Sequence, residues 1–506
     1  MMWDRREIIG AGAAALAASA VARPAFGQIA TEHVEIDLRR DVGALDHIWS
    51  RCAGSDRASV TLRESWRHDL ERFHNETGLE RVRFHGIFND DMGVWPGGMN
   101  GKDPNFQNVD DVYDGVLARG VQPFVELSFM PKKLASANKK LNFTYDANIS
   151  PPASPEAWGA FIQVFVRHLL DRYGASAVRQ WYFEVWNEPN LNWFFSGTQA
   201  DYFAMYKAAA RAIKEVDPKL RVGGPSSAAA QWIPEFLGFC AQENLPVDFV
   251  STHIYAGDDQ KELFGEANRY SHKDVIPAAM AKVRSQIDAT RYKDAELWLS
   301  EWSSDSPAMI AHIISSCLPY CHAMAQWCIS NVFEEINFPN FILKEGDGGW
   351  GMLAQRGIAR PAFNSYKLLH RLGQRRLAAT GPTLASRTRN GAAALVWNLA
   401  EVKQPAGIPG MSNQRIVTGE RKKIEVRLKG AAPGKSVQVS YVDQERGSPL
   451  PKWRELGSPQ YPKKDQIEQI RRSAELAPPE TRRLDGQGVL TLDLPPEGLA
   501  LIELTA

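Results

Sequence analysis

The chain has few cysteines and no net charge, which argues against a disulfide-rich domain and against binding by overall charge. The 506 residues include only five cysteines, too few and too scattered for the disulfide framework of a small secreted domain. Because five is odd, at least one thiol stays outside any intramolecular disulfide. The 59 basic and 59 acidic residues cancel, so the overall charge gives no support for binding to nucleic acid or to an anionic membrane.

Long hydrophobic runs are also scarce, and the run at the amino terminus is too short and wrongly flanked for a good membrane span. Residues 1–27 combine Arg5-Arg6, a Gly/Ala-rich stretch and small residues before Gly27. This pattern predicts an export signal, and the paired arginines resemble a twin-arginine signal. No cysteine lies near the expected cleavage point, so no lipid anchor is expected there. We therefore expect an exported protein, periplasmic or secreted.

The remaining composition is ordinary for a soluble globular enzyme, with 44% hydrophobic and 23% charged residues. Fifteen tryptophans are many for this length, but indole rings fill cores as well as stack on sugars. The spacing of His312, Cys317, Cys321 and His322 resembles that of metal ligands. These residues lie in an Ala/Ile/Met-rich helical pattern, so we predict core packing there and no metal or other cofactor.

From about residue 45 to residue 370, short runs rich in β-branched and aromatic residues alternate with longer runs of helical period. The candidate strands are 47–53, 81–88, 122–129, 180–186, 220–223, 247–254, 295–301 and 325–333. The candidate helices are 64–76, 108–119, 155–173, 199–216, 231–243, 274–290, 307–324 and 361–372.

This alternation predicts an α/β protein with a (β/α)8 TIM barrel over residues 45–372. A doubly wound open sheet is the alternative, but no phosphate-binding loop supports it. After about residue 375, separated strands with Gly/Pro turns replace the helical pattern, which predicts an accessory C-terminal β-sandwich over residues 373–506. Within residues 28–44, the run 32–40 alternates in the way that is typical of an edge strand, and we expect it to join that sandwich.

The active site of such a barrel lies on the face where the strands end. The candidate strands end in polar side chains, which favours a carboxylate-rich pocket there. These side chains are His85, Glu126, Asn187, Glu188, His253, Tyr255, Glu301, Glu334 and Glu335.

Two carboxylates on different candidate strands suit the hydrolysis of a glycosidic bond. Such a reaction needs one carboxyl group to protonate the leaving oxygen and a second to attack the sugar or to activate water. Glu188 ends the aromatic strand in Trp186-Asn187-Glu188-Pro189, where proline stops the ladder. Glu301 ends an otherwise apolar strand, and a carboxylate there is costly unless it has a partner or a function. A solvated loop for Glu188 and a structural ion pair for Glu301 are the alternatives.

The chain resembles glycoside hydrolase family 39, the family of β-xylosidases and α-L-iduronidases, and is more similar to the bacterial β-xylosidases. The matching runs span both expected domains. They are residues 124–136, 183–191, 222–225, 247–255, 332–335, 360–363 and 461–465.

This resemblance implies a retaining double displacement in which Glu188 is the acid/base and Glu301 the nucleophile. It also implies hydrogen bonds to the sugar from six residues, which are His85, Asn187, His253, Tyr255, Glu334 and Glu335. Three aromatic residues are implied to line the pocket, which are Phe129, Trp327 and Trp350. Core packing is the alternative for His85, for His253 and for the three aromatics.

The chain departs from the xylosidase pattern beside the expected nucleophile, where Glu301-Trp302-Ser303 replaces Glu-Tyr-Asn. An exo-acting β-xylosidase is therefore one expectation, and a family member specific for arabinose, glucose, galactose or a uronic acid is another. A uronidase needs a cation, for which Lys344 and Arg356 are candidates. A non-catalytic carbohydrate-binding protein is the alternative of another class. The expected partner is an oligosaccharide or glycoside, and the oligomeric state stays open.

Overall fold

The computed structural model describes residues 31–95, 103–141, 145–332, 351–403 and 416–505. The expected export signal lies outside the described residues. So do four residues singled out above, which are Glu334, Glu335, Lys344 and Trp350. Of the helices in the described ranges, none combines the length and the apolar character that crossing a bilayer requires.

Strand β1 (Thr31–Ala44) belongs to the second domain, and the next eight strands close into a parallel barrel. The barrel strands β2 to β9 are Cys52–Arg57, Arg81–His85, Gln122–Leu127, Tyr182–Val185, Arg221–Ala228, Phe249–His253, Glu296–Trp302 and Ala323–Gln326. The pairing of Cys52 with Ala325 joins the first strand to the last and completes the ring. The predicted TIM barrel is therefore confirmed, and the open sheet is excluded.

Helices surround the barrel. Helices α1 to α10 are Glu64–Thr77, Gln107–Leu117, Pro155–Tyr173, Ala175–Val178, Gln199–Val216, Ile233–Gln242, Gln260–Phe264, Val275–Asp288, Pro307–Cys317 and Pro361–His370. The sequence shows why α3 starts and stops where it does. Ser154 accepts a hydrogen bond from the backbone N–H of Ala157, Pro155 takes the first turn, and Gly174 ends the helix at a φ of 80°.

Four predicted boundaries are wrong by five residues or more. Strand β6 ends at Ala228 rather than at residue 223, and strand β9 ends at Gln326 rather than at residue 333. The other two have local causes. The first barrel strand begins at Cys52 rather than at residue 47, because the N–H of Ser50 bonds to the carbonyl of His47 and closes a turn. Helix α9 ends at Cys317 rather than at residue 324. Pro319 supplies no N–H and disfavours a helical residue before it, so the chain turns and enters the last strand early.

Aromatic side chains close the amino-terminal end of the barrel interior. A buried cluster there joins residues of six strands, with the rings of Phe124 and Trp298 4.9 Å apart. Its members are Cys52, Phe124, Tyr182, Phe249, Trp298, Ala323 and Ala325. Because this end is filled, the polar side chains further along the strands meet at the carboxyl end.

The remaining strands form the second domain and two short ribbons. Strands β10 to β21 are Leu353–Ala354, Ile358–Ala359, Arg375–Thr380, Thr383–Thr388, Gly391–Trp397, Glu401–Lys403, Ile416–Thr418, Lys422–Lys429, Ser436–Val442, Glu480–Arg483, Val489–Leu494 and Leu499–Thr505. Two helices accompany them, α11 (Leu450–Glu455) and α12 (Lys464–Ala474). A mixed nine-stranded sheet includes β1 and packs around one hydrophobic core, as expected of the accessory β-sandwich.

Strand β1 does join this sheet, but the prediction that it forms an edge is wrong. It pairs antiparallel with β12 and parallel with β17, placing Ile36 opposite both Ala379 and Leu428. The edges of the sheet are β19 and β20 instead. Alternation reveals that one face of a strand is buried, and Val34 and Ile36 are buried, but it carries no information about how many neighbours the strand has.

Candidate active site

Glu188 is held at the carboxyl end of β5 by an unusual backbone conformation. Trp186 and Glu188 have φ values of 73° and 45°, in the left-handed region that non-glycine residues rarely adopt. Hydrogen bonds maintain it, since the N–H of Glu188 donates to the carbonyl of Ser226 (2.8 Å). The indole of Trp186 donates to the carbonyl of Phe194 (2.9 Å). Strain of this kind is characteristic of functional sites and fixes the direction of the Glu188 side chain.

Glu188 and Glu301 face one another with His253 between them. The Nδ1 atom of His253 lies 2.9 Å from Oε1 of Glu188 and 3.5 Å from Oε2 of Glu301. One carboxylate oxygen from each glutamate and a ring nitrogen of His253 all lie within 4.8 Å of one another. Both glutamates are 7% exposed, so they are largely withdrawn from water yet still reachable. The structure thus brings together the two carboxylates that the sequence singled out.

A buried arginine lies beneath this pair and organises it. Arg83 donates to Oε2 of Glu184 at 2.7 Å and approaches Oε2 of Glu126 at 2.8 Å. Its guanidinium also donates to Oδ1 of Asn187 at 2.9 Å and lies 3.4 Å from Oε2 of Glu301. These contacts compensate for placing a completely buried charge within the barrel.

Sequence reasoning missed the role of Arg83 and of Glu184. The signal was present, because Arg83 lies between Val82 and Phe84 in β3. Glu184 lies between Phe183 and Val185 in β5, so each charge has apolar neighbours in its strand. Such charges need a partner, and the two residues are partners of one another. Glu126 was recognised only as a polar strand end, whereas it accepts hydrogen bonds from both His85 (2.7 Å) and Ser128.

The environment sets the protonation of the carboxylates. Burial raises the pKa of Glu188 to about 7, despite the opposing effects of His85 and Arg83. Burial also raises the pKa of Glu301. The charge of Glu188 adds to this rise, and the Arg83 guanidinium opposes it. Burial would raise the pKa of Glu126 too, but the neighbouring His85 and Arg83 lower it overall. The two facing carboxyls therefore favour a state in which they share one proton.

Hydrogen bonds decide which carboxyl of the pair carries the negative charge. Glu301 accepts the hydroxyl of Tyr255 on Oε1 and faces the Arg83 guanidinium with Oε2. Both contacts stabilise the ionised form. His253 beside Glu188 is neutral at pH 7, since burial lowers its pKa to about 4. The charge therefore belongs on Glu301 and the proton on Glu188.

The loop after β7 holds Tyr255 in place. The backbone N–H of Tyr255 donates to Oδ2 of Asp258 at 2.8 Å, which closes a short turn. Burial raises the pKa of Asp258 to about 7, and the nearby charges of Glu188 and Glu301 add to this effect. Asp258 was not anticipated, and it lies close enough to the carboxylate pair to respond to its charge.

Aromatic rings line the wall next to His85. Its imidazole ring lies 4.7 Å from the ring of Trp327 and 6.1 Å from those of Phe129 and Phe194. The Nδ2 atom of Asn187 is buried without a hydrogen-bond partner in the described part of the chain. A buried amide donor of this kind is available to a ligand hydroxyl.

The tryptophan that follows the nucleophile candidate contributes no accessible surface. Trp302 is 0% exposed and belongs to the main hydrophobic core. Its carbonyl accepts the N–H of Trp327 (2.7 Å), whereas its indole nitrogen has no partner among the described residues. The departure from the xylosidase pattern is thus accommodated by packing.

The helix that carries His312 and Cys317 packs into the main hydrophobic core, as the sequence predicted. His312 contacts Asp274 (3.1 Å), and His322 accepts the N–H of Leu297 (3.0 Å). All five cysteines of the chain are buried free thiols. Within the described ranges, none of these side chains belongs to a group arranged to hold a metal ion.

Comparison with known proteins gives a consistent result. The model of the glycosyl hydrolases family 39 matches residues 32–490. A β-xylosidase of Caldicellulosiruptor saccharolyticus is 35% identical over 471 residues, covering 88% of this chain and 91% of its own. A β-xylosidase of Geobacillus stearothermophilus is 30% identical, covering 90% and 92%. The crystal structure of a monomeric β-xylosidase from Caulobacter crescentus superposes with a TM-score of 0.83 at 30% identity, covering 94% of this chain and 99% of that one. On its fold, on the match over almost its entire described length and on these relatives, the chain belongs to glycosyl hydrolase family 39 and is a glycosidase.

Proposed function

We propose that this glycosidase is a retaining, exo-acting β-xylosidase that releases xylose from xylo-oligosaccharides, and so takes part in xylan degradation. The observation that carries the mechanism is the approach of the Glu188 and Glu301 oxygens to within 4.8 Å. Retaining enzymes hold their carboxyl groups about 5–5.5 Å apart, whereas inverting enzymes need about 6.5–9.5 Å to admit a water molecule. The relatives named as β-xylosidases support the choice of sugar and exo action.

In the first step, ionised Glu301 attacks the anomeric carbon while protonated Glu188 donates its proton to the glycosidic oxygen. The bond to the leaving group breaks as the bond between the Glu301 carboxylate and the sugar forms. Hydrogen bonds from Arg83 and Tyr255 orient the attacking carboxylate. The Nδ2 group of Asn187, which has no partner among the described residues, is placed to donate to the sugar 2-hydroxyl, a contact that strengthens in the transition state.

In the second step, Glu188 serves as the base. Esterification of Glu301 removes its negative charge, so the ionised form of Glu188 becomes more stable and its pKa falls. Glu188 then takes a proton from water, which attacks the anomeric carbon and releases Glu301. The product has the configuration of the substrate because the carbon has been inverted twice.

A panel of nitrophenyl glycosides tests this proposal. We expect the β-xyloside to give a higher kcat/KM than the arabinoside, glucoside, galactoside and iduronide. Proton NMR during the first turnovers should show β-xylose before mutarotation. Preference for another sugar would replace the xylosidase assignment, and α-xylose as first product would refute retention. No release from any glycoside would favour a carbohydrate-binding protein.

Arg356, one of the two candidate cations for binding a uronic acid, lies within the described residues and does not favour a uronidase. The carbonyl of Arg356 accepts a hydrogen bond from Arg471 of helix α12 (2.8 Å), which places that residue against the second domain. Arg83 is buried and already engaged by carboxylates. The iduronide in the panel is therefore expected to be a poor substrate.

We also propose that the protein is exported, to the periplasm or beyond, through a twin-arginine signal in residues 1–27. Five buried free thiols are compatible with export of a chain that folds before it crosses the membrane. Replacing Arg5-Arg6 with Lys-Lys should retain the protein in the cytoplasm of the host, as measured by activity in periplasmic and cytoplasmic fractions. Unchanged export would refute this route.

A further inference from the structure

An exposed tryptophan follows the acid/base residue after only four intervening residues. Trp193 is 59% exposed, and the neighbouring Leu191 is 36% exposed. By contrast, the tryptophans on either side of the catalytic carboxylates, such as Trp186, Trp302 and Trp327, are at most 1% exposed. An exposed indole beside a carbohydrate site offers a large, flat apolar face on which a ligand can pack.

The turn that carries Trp193 is fixed to the barrel at both ends. The N–H of Leu191 donates to the carbonyl of Glu188 (3.0 Å), and that of Phe194 donates to the carbonyl of Leu191 (2.9 Å). On the far side, the N–H of Ser196 donates to the carbonyl of Ile149 (2.8 Å). A ring on so well-anchored a turn loses little conformational freedom when a ligand covers it.

The next residue locates the turn at the edge of the pocket. Phe194 is buried, its ring lies 6.1 Å from that of His85, and its carbonyl accepts the indole N–H of Trp186. Trp193 is therefore adjacent in the chain to a residue of the aromatic wall beside His85, while its own side chain is exposed to solvent.

The chemistry of the first step defines which part of the substrate lies nearest to this turn. The acid must protonate the oxygen between the cleaved sugar and its leaving group, so Glu188 stands on the leaving-group side of the bond. Glu301 attacks from the opposite side of the anomeric carbon. The chain that continues from Glu188 through Leu191 to Trp193 consequently borders the space that the leaving group occupies.

We propose that Trp193 is the platform of a leaving-group subsite, on which the second pyranose ring of a xylo-oligosaccharide stacks. The assignment rests on the proposed function. The weakly polar C–H face of a pyranose ring is complementary to the face of an indole ring. Such a contact favours substrates with a cyclic leaving group over those with a small one, and it leaves the attacked sugar untouched.

Comparing two substrates of wild type and Trp193→Ala tests the subsite. Xylobiose offers a pyranose as its leaving group, whereas β-xylosyl fluoride offers fluoride, and both give the same glycosyl-enzyme. We expect the ratio of kcat/KM for xylobiose to kcat/KM for the fluoride to fall about tenfold, in line with the strength of stacking contacts of aromatic rings. Trp193→Phe retains a ring and should keep the ratio within about threefold of wild type.

Tyr461→Ala is the matched control, because Tyr461 is 77% exposed in the second domain, and its ratio should equal that of wild type. An unchanged ratio in Trp193→Ala would overturn the subsite assignment. Equal losses on both substrates would also overturn it, because they would indicate a disturbed Glu188 turn. If the wild type cleaves neither compound, the proposed function itself fails. This result is distinguishable from failure of the subsite, because it is seen in the wild type without any substitution.

Discussion

The Nδ1 atom of His253 lies 2.9 Å from Oε1 of Glu188. Because burial lowers the pKa of His253 to about 4, the ring is neutral at physiological pH. It therefore holds the Glu188 carboxyl in position without adding a positive charge that would remove its proton. If Glu188 is the acid, as proposed, loss of this proton limits activity at high pH.

The pH dependence of kcat/KM should follow from this arrangement. Glu188 must be protonated to act as the acid, so activity is present below its pKa of about 7 and falls about tenfold per pH unit above it. On the acidic side, activity falls as Glu301 takes up a proton. The measurement is kcat/KM for nitrophenyl β-xyloside between about pH 4 and pH 9, the range in which carboxyl and imidazole groups titrate. It locates the acidic and the basic limb of the pH profile. The pH profile of Glu188→Gln should lack the basic limb. A basic limb that persists in this variant would contradict the assignment of Glu188 as the acid.

Loss of the Arg83 charge should destabilise the fold strongly. Arg83→Met leaves Glu126 and Glu184 buried without their cation, which costs about 3–5 kcal/mol in the free energy of unfolding. Arg83 lowers the pKa of Glu126, so its stabilising effect is present above the pKa of a glutamate in the unfolded chain and is lost as the pH falls through the lower folded value. Urea unfolding of wild type and Arg83→Met at pH 7, and then at successively lower pH below the pKa of a free glutamate, follows this loss.

Arg172→Met provides the comparison, because the Arg172–Asp114 pair is exposed and should contribute less than about 1 kcal/mol. If the two arginine variants unfold at similar urea concentrations, the buried Arg83 network does not have the role described above.

Removal of the Tyr255 hydroxyl should affect the nucleophile selectively. Tyr255→Phe deletes the hydrogen bond to Oε1 of Glu301, and bonds to charged groups contribute about 1.5–3 kcal/mol, or roughly 10–100-fold in kcat. The ionised form of Glu301 also loses stabilisation, so the acidic limb of the pH profile should move to higher pH. Steady-state kinetics across the pH range measure both effects. If kcat falls while the acidic limb of the pH profile stays at the same pH, Tyr255 acts on the sugar and not on Glu301.

Substitution of Trp302 should change stability more than specificity. Because this side chain is 0% exposed, Trp302→Tyr removes core volume and should lower the free energy of unfolding by about 1–3 kcal/mol. The ratio of kcat/KM for the β-xyloside to that for the arabinoside should change less than about threefold, since the residue presents no surface to the pocket. A tenfold change in this ratio would show that position 302 selects the sugar.

Much of the fold could be predicted because hydrophobic residues recur with different spacing in strands and in helices. The short barrel strands therefore stand out between the longer helices. Helix α3 was predicted at both ends, since Ser154, Pro155 and Gly174 specify a start and a stop. Long-range pairing leaves no such local mark. The neighbours of β1 come from β12 and β17, more than 300 residues away, so its interior position could not be derived from its own alternation.

The site shows the same division. Glu188 and Glu301 could be identified because acidic groups at the ends of apolar strands are costly without a function. The network around Arg83 depends on side chains of four strands and the segment after β5 meeting inside the barrel, which only the closed sheet brings about. Asp258 accepts the backbone N–H of Tyr255 in a turn after the strand, and the pattern of strand residues does not predict this turn.

The proposed double displacement requires Glu301 as the nucleophile and Glu188 as the acid/base. Assaying Glu301→Ala with nitrophenyl β-xyloside, without and with azide, tests both roles. The variant should have almost no activity, and azide should restore turnover and yield the α-xylosyl azide, because the small anion attacks once from the vacated side. Near-normal activity of Glu301→Ala, or rescue by azide to the β-azide, would rule out Glu301 as the nucleophile.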